Sequence, residues 1–231
     1  MNLLAFDTST DTLSVAVQSR GGVPLQHVAA GGAQASLTLI AAVQDLLGRA
    51  RLRLGDLDAI AFGRGPGSFT GLRTACSVAQ GLAFGAGVPV LPVDTLMAVA
   101  EEARELEGAT RIVAVLDARM DEVYSAAYVH DGGRWRQQGD FSLGRPESVA
   151  VPEGWVVAGN AFSAYAGRLA PDARRLHALP MAAALLRMAP ALIAAGGPVS
   201  AERALPLYIR DKVAQTTEER AALRAAPPQR P

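Results

Sequence analysis

Two short stretches hold residues whose types and spacing could do phosphate chemistry. Asp7-Thr8-Ser9-Thr10 sets a carboxylate ahead of three hydroxyls. An aspartate at the C-terminal end of a strand, followed by hydroxyls in a turn, can hold a hydrated Mg²⁺ and touch phosphate oxygens. The same residues can also do no more than satisfy backbone amides of the turn. The second stretch, Gly63-Arg64-Gly65-Pro66-Gly67-Ser68-Phe69-Thr70-Gly71-Leu72-Arg73, carries four glycines and one proline. A glycine-rich loop that enters a helix offers free N–H groups to an anion. It fits neither standard phosphate loop: no lysine lies in it, and the dinucleotide spacing meets Ser68 counted from Gly63 and Thr70 counted from Gly65. Two readings stay open, an anion cradle or a tight turn that packs a helix closely against a sheet. On the first, Asp7, Thr8, Ser9, Gly65 and Gly67 are the nucleotide-binding candidates.

Other chemistries find less support. The three histidines, His27, His130 and His177, are not spaced as metal ligands, and no His-Glu-x-x-His is present, so no metal site is assigned. No Gly-x-Ser-x-Gly elbow marks a nucleophilic serine. The single cysteine, Cys76, cannot form an internal disulfide and reads as a core residue. Acidic and basic residues balance at 22 each, which removes any global electrostatic case for nucleic-acid or membrane binding. The N-terminus lacks the pattern of a signal peptide, and no apolar run reaches the ~18 residues of a membrane span. A cytoplasmic protein is expected.

The elements that must position these stretches follow from periodicity. Leu3–Phe6 reads as a buried strand closing on Asp7, Leu13–Gln18 as a second, and Val23–Ala30 as a third after the Gly21-Gly22 turn. From Gln34 the period becomes helical, with Leu37, Ile40, Val43, Leu47 and Ala50 on one face and Leu39 and Leu46 widening it. Ala59–Phe62 is the strand that feeds the glycine loop, and a helix from about Thr70 to Ala86 leaves it, with Ser68 or Thr70 as N-cap. A strand at 87–93 and a helix to Leu106 complete the series βββαβαβα. Its layout is that of a ribonuclease-H-like or actin-like half.

A second, degenerate copy begins at Gly108. Ile112–Arg119 is again a buried strand closing on an aspartate, Asp117, and is followed by strands at Val123–Val129 and Trp135–Phe141. Trp155–Ala158 then leads into Gly159-Asn160-Ala161 without a glycine cluster. Met181–Ala195 is helical, with a kink at Pro190. The organisation expected is α/β: an N-terminal subdomain over 1–107, a second over 108–213 whose last helix packs back on the first, and a disordered tail over 214–231. One face of the helix after the loop (Gly71, Ala75, Val78, Ala79, Leu82 and Gly85) is built of small residues. Packing inside the chain and a helix-pair interface both fit it.

Asp7–Thr10, Asp56–Ala61, the run Gly63–Arg73, Gly81-Leu82-Ala83, Asp117–Tyr124 and Pro206-Leu207-Tyr208-Ile209-Arg210 together resemble the TsaB (YeaZ) family, over residues 1 to 213. The resemblance implies two actin-like subdomains of the ASKHA class. It also implies a non-catalytic scaffold that serves TsaD, with the ATPase TsaE, in threonylcarbamoyl transfer to N6 of adenosine 37 in tRNAs reading codons that begin with A. The paired metal-binding histidines of the catalytic relative have no counterpart in the first helix. Ala35-Ser36 also stands where family members often carry His-Ser. On this resemblance the partner surface lies on the first two helices, at Leu39, Val43, Leu46, Gly71, Ala75, Val78, Ala79 and Leu82. The same surface would serve a homodimer when the partner is absent. No cofactor belongs to the chain itself, ATP or ADP being placed at the junction of the complex, and tRNA is met mainly through the complex. The alternative is an ATP-dependent phosphotransferase of the actin and sugar-kinase fold. A peptidase is the weakest reading, since its metal motif is missing.

Overall fold

The structure, a computed structural model, describes residues 1–210, so the expected tail at 214–231 lies outside the described residues. Among the described residues, ten strands form two sheets of five. The first holds β1 (Leu3–Asp7), β2 (Thr12–Gln18), β3 (Leu25–Ala30), β4 (Ala59–Gly65) and β5 (Val90–Asp94), in the order β3-β2-β1-β4-β5. The second holds β6 (Arg111–Arg119), β7 (Glu122–Asp131), β8 (Arg134–Gly144), β9 (Val156–Gly159) and β10 (Arg174–His177), in the order β10-β9-β6-β7-β8. Strand for strand the second sheet repeats the first. An antiparallel meander (β1-β2-β3, β6-β7-β8) is extended by two parallel strands beside its first member. The chain is therefore α/β with two actin-like halves.

Both faces of the first sheet are covered, which is why β1 and β4 read as unbroken apolar runs instead of alternating ones. Leu4, Phe6, Ile60 and Phe62 face one core shared with α1 (Ala35–Ala50) and α2 (Phe69–Ala86). Leu3, Ala5, Ala59 and Ala61 face the other, which is filled by α5 (Ala182–Ala194). The amide of Ala182 donates to Ser14 Oγ of β2 at 2.9 Å and fixes where α5 enters. Conversely α3 (Thr95–Glu107), the last helix of the first half, buries Leu96, Val99, Ala100 and Ala103 against Ile112, Ala114 and Leu116 of the second sheet. The two halves thus exchange a helix. Glu101 of α3, 2% exposed, ties this junction together. It accepts from Trp135 Nε1 of β8 at 2.9 Å, from Arg187 Nε of α5 at 2.9 Å and from both forks of Arg104. Burial pushes its carboxyl up, but these donors outweigh burial and hold it below the ordinary range.

Several expected elements move. The third strand starts at Leu25, leaving Val23 exposed. The strand expected at 87–93 begins only at Val90, after Gly87 has ended α2 in a left-handed conformation. Leu106 points to solvent instead of joining the face of α3. The last helix runs Ala182–Ala194, close to its expected bounds, with Pro190 inside it. The strand β10 (Arg174–His177) has no counterpart among the expected elements. Here Arg174 pairs with Glu107, and Arg175 donates to the carbonyl of Ala170.

Candidate functional site

Asp7 ends β1 beside Gly63 of β4 and is 1% exposed. Its Oδ1 accepts from the amide of Ser9 at 2.8 Å and from Ser9 Oγ at 2.6 Å. Its Oδ2 has no partner. Burial raises the carboxyl to about 6 against the opposing pull of the two Ser9 hydrogen bonds. A Cβ on Gly63 would lie 1.7 Å from Oδ2, so the absence of a side chain there makes room for the carboxylate. The side chain of Asp7 is enclosed and does not reach the cleft between the halves, and no metal-holding cluster of three acidic, histidine or cysteine residues occurs among the described residues. These residues do not fit a resident Mg²⁺.

The glycine loop is also committed. A Cβ on Gly71 would meet the carbonyl oxygen of Thr8 at 1.8 Å, and Thr8 Oγ1 donates to the carbonyl of Gly71 at 2.7 Å. One on Gly67 would meet the carbonyl of Ser9 at 2.6 Å, where the amide of Ser68 donates at 2.7 Å. Gly65, at φ +123°, faces the carbonyl of Leu207, 2.4 Å from where its Cβ would be. Helix α2 therefore starts in contact with the β1–β2 turn. Of the two readings of the loop, the contacts follow the packing one. Ser68 occupies the N-cap of α2 but makes no side-chain cap hydrogen bond, contrary to expectation. The cap of α3 is likewise unused: Asp94 pairs with Arg64 at 2.6 Å, and Thr95 Oγ1 accepts from the amide of Gly65.

Between the halves lies a cleft of about 650 Å³. Ser9, Thr10 and Gly67 line its first-half wall; Asp117, Arg119 and Asn160 line the other. Of the nucleotide candidates, Ser9 and Gly67 reach the cleft and Asp7, Thr8 and Gly65 do not. Asp117 repeats the local geometry of Asp7, with Oδ1 accepting from the amide two residues on, that of Arg119, at 2.8 Å. Tyr165 Oη donates to the same oxygen at 2.8 Å, and burial together with this hydrogen bond pushes the phenol up to about 12. Arg119 pairs with Asp117 at 3.0 Å and crosses to Asp11 of the first half at 2.6 Å. Arg119, Met120 and Asp121 all have positive φ, an arrangement that L-residues rarely adopt.

The partner-surface residues need a correction. Leu39, Val43, Leu46, Gly71, Ala75 and Ala79 are buried in the chain's own interior, and Val78 and Leu82 are half-buried against that core. The six buried residues are taken up by the chain's own core, while Val78 and Leu82 keep part of their surface exposed. The helices pack by a stripe rotated from the one expected: α1 buries Ala35, Leu39, Ala42, Val43, Leu46 and Leu47. This turns Leu37 (77% exposed) and Ile40 (46%) outward, and α2 does the same with Phe84 (82%). Glycines 81 and 85 share that outer side, and among the described residues nothing lies within 4 Å of where their Cβ atoms would be.

A two-lobed α/β chain in which a five-stranded sheet of one topology occurs twice has the actin-like fold. The comparisons place it further. The family model described as "TsaD: tRNA N6-adenosine threonylcarbamoyltransferase" matches residues 27–217. The tRNA threonylcarbamoyladenosine biosynthesis protein TsaB of Escherichia coli is 38% identical, over 93% of this chain and 96% of that protein. The same protein of Haemophilus influenzae is 35% identical, over 92% and 95%. The solved structure of YeaZ from Pseudomonas aeruginosa superposes with a TM-score of 0.84 at 43% identity, covering 90% of this chain and 99% of that one. The chain belongs to the TsaB (YeaZ) family.

Proposed function

We propose that this chain acts in tRNA threonylcarbamoyladenosine biosynthesis as a non-catalytic subunit that docks a TsaD-type enzyme, with a TsaE-type ATPase joining the pair. In this reading the partner carries the transfer to N6 of adenosine 37, and ATP or ADP, where used, sits at the junction of the complex. The names of the relatives support the pathway. One observation carries the docking: α1 and α2 turn Leu37, Ile40 and Phe84 to solvent, although the same helices have an apolar stripe fully used inside. Contiguous exposed apolar surface marks interaction sites, and Leu37 and Ile40, three residues apart, share one side of α1. The bare glycines at 81 and 85 let a partner helix come close to α2. The enclosed Asp7 and the filled glycine loop count against the phosphotransferase alternative.

Phe84→Asp leaves the core untouched, so it should fold with an unchanged melting temperature and lose binding to the TsaD-type enzyme of the same organism at least about tenfold, or 1.4 kcal/mol. Ala75→Arg instead forces a charge into a site with no exposure and should unfold the chain. Light scattering and calorimetry on the mixtures check both. Full binding by a folded Phe84→Asp/Ile40→Asp double variant would remove this surface from the reading.

A further inference from the structure

On one side the lobes are joined by the exchanged helices α3 and α5, a broad apolar junction. On the cleft side the joining is thin. The Arg119–Asp11 pair spans the mouth, but both partners are more than half exposed (67% and 82%), and such pairs contribute little. The other link is the irregular segment that follows the short turn at Ala201–Arg203. It runs from one lobe to the other along the cleft wall.

Its start is held by α2: the carbonyl of Ala204 accepts from Gln80 Nε2 at 2.9 Å and from Cys76 Sγ at 3.2 Å. Next, the amide of Leu207 donates to the carbonyl of Arg64 at 2.7 Å, and its own carbonyl lies against the bare face of Gly65. Tyr208 packs on Phe69 with ring centroids 5.2 Å apart and the planes tilted by 38°, and its Oη accepts from Arg73 Nε. The segment then changes lobes. Ile209 packs on the second core, and Arg210, its side chain only 14% exposed, donates to the carbonyl of Ala118 at 3.0 Å and pairs with Glu122 at 2.8 Å. Both acceptors flank the left-handed turn at Arg119–Asp121.

We propose that residues 204–210 are a strap that sets the angle between the lobes, anchored in the first by the Leu207 backbone and in the second by Arg210. The glycine loop gives the strap its seat: the buried Gly65 leaves room for the carbonyl of Leu207. A charge-assisted hydrogen bond at one end and a backbone pair at the other are stronger than the exposed ion pair, so the strap, and not Arg119, governs opening of the cleft.

The test places spin labels at the exposed cleft-wall residues Ser68 and Ser163, as cysteines in the full chain, and measures their distance distribution. Arg210→Ala removes the second-lobe anchor, and Leu207→Pro removes the first-lobe N–H. Each should broaden the distribution to longer distances and raise amide exchange in the Arg119–Asp121 turn at least about tenfold, while exchange in β1 and β4 stays as in the wild type. Asp11→Ala, which cuts the exposed pair alone, should leave the distribution narrow. If either strap variant folds and keeps the narrow distribution, or if Asp11→Ala broadens it as much, the proposal is wrong. Should one strap variant fail to fold, the other decides.

Discussion

At Asp7 a carboxylate is enclosed with Ser9 as its hydrogen-bond partner, and burial raises its pKa. A group whose folded pKa is raised holds its proton more tightly in the folded chain than in the unfolded one. Its contribution to stability is therefore complete below the ordinary value of 3.8, declines as pH rises toward about 6, and is gone above that. The shift corresponds to about 3 kcal/mol at neutral pH. Asp7→Asn keeps an oxygen for the two Ser9 donors and carries no charge to desolvate, so it should raise the melting temperature at pH 8. The gain should shrink through the interval from 6 to 4. Thermal melts of both proteins across that range check the sign: a variant equally destabilised at every pH would mean that the carboxylate, charged, is what this position requires.

At the scale of elements, Glu101 shows what the helix exchange rests on. Its carboxyl is held below the ordinary range, so this contribution is present at neutral pH and is lost as pH falls through the depressed value. Glu101→Ala would leave Trp135 Nε1 without an acceptor and the half-buried Arg104 and Arg187 without their shared counter-charge. A loss of about 3 kcal/mol is expected by urea unfolding, with Glu101→Gln between that and the wild type. The elements also show where sequence reading reaches its end. Helix α1 carries two overlapping apolar stripes at helical spacing, and both Leu37/Ile40 and Leu39/Val43/Leu46 satisfy the period. Which stripe is inside depends on where β1 and β2 lie, and no local pattern holds that information. The same reason explains why Leu39, Val43, Leu46, Gly71, Ala75 and Ala79, expected on a partner surface, lie inside. Strand β10 has no alternation to find: Arg174-Arg175-Leu176-His177 owes its conformation to β9 alongside it, not to its own side chains.

Across the whole molecule, the duplication was legible because it is written in local signals. Each half opens with a buried strand closing on an aspartate, Asp7 or Asp117, and continues as a meander. The glycine loop was legible as a special conformation but not as to purpose, since Gly65, Gly67 and Gly71 are filled by Leu207, Ser9 and Thr8, two of which lie some sixty residues earlier and one far later in the chain. The exchange of α3 and α5 left a weaker trace, in that Met181–Ala195 is too apolar to stand alone.

That exchange has a consequence for the order in which the chain is made. A growing polypeptide leaves the ribosome N-terminus first, and domains generally fold as they emerge. Here the first lobe cannot do so. Leu3, Ala5, Ala59 and Ala61 stay uncovered until α5 has been synthesised, and α3 stays half-bare until β6 arrives. A chain stopped at residue 107 should therefore bind a hydrophobic dye and lack a cooperative melt. The complete chain should unfold in one step. Both tryptophans, Trp135 and Trp155, belong to the second half, so their fluorescence should lose its native signal at the same urea concentration as amide protection in β1. Two separated transitions would show lobes that fold apart. A single one means that nearly the whole message must be read before any of it is safe from aggregation.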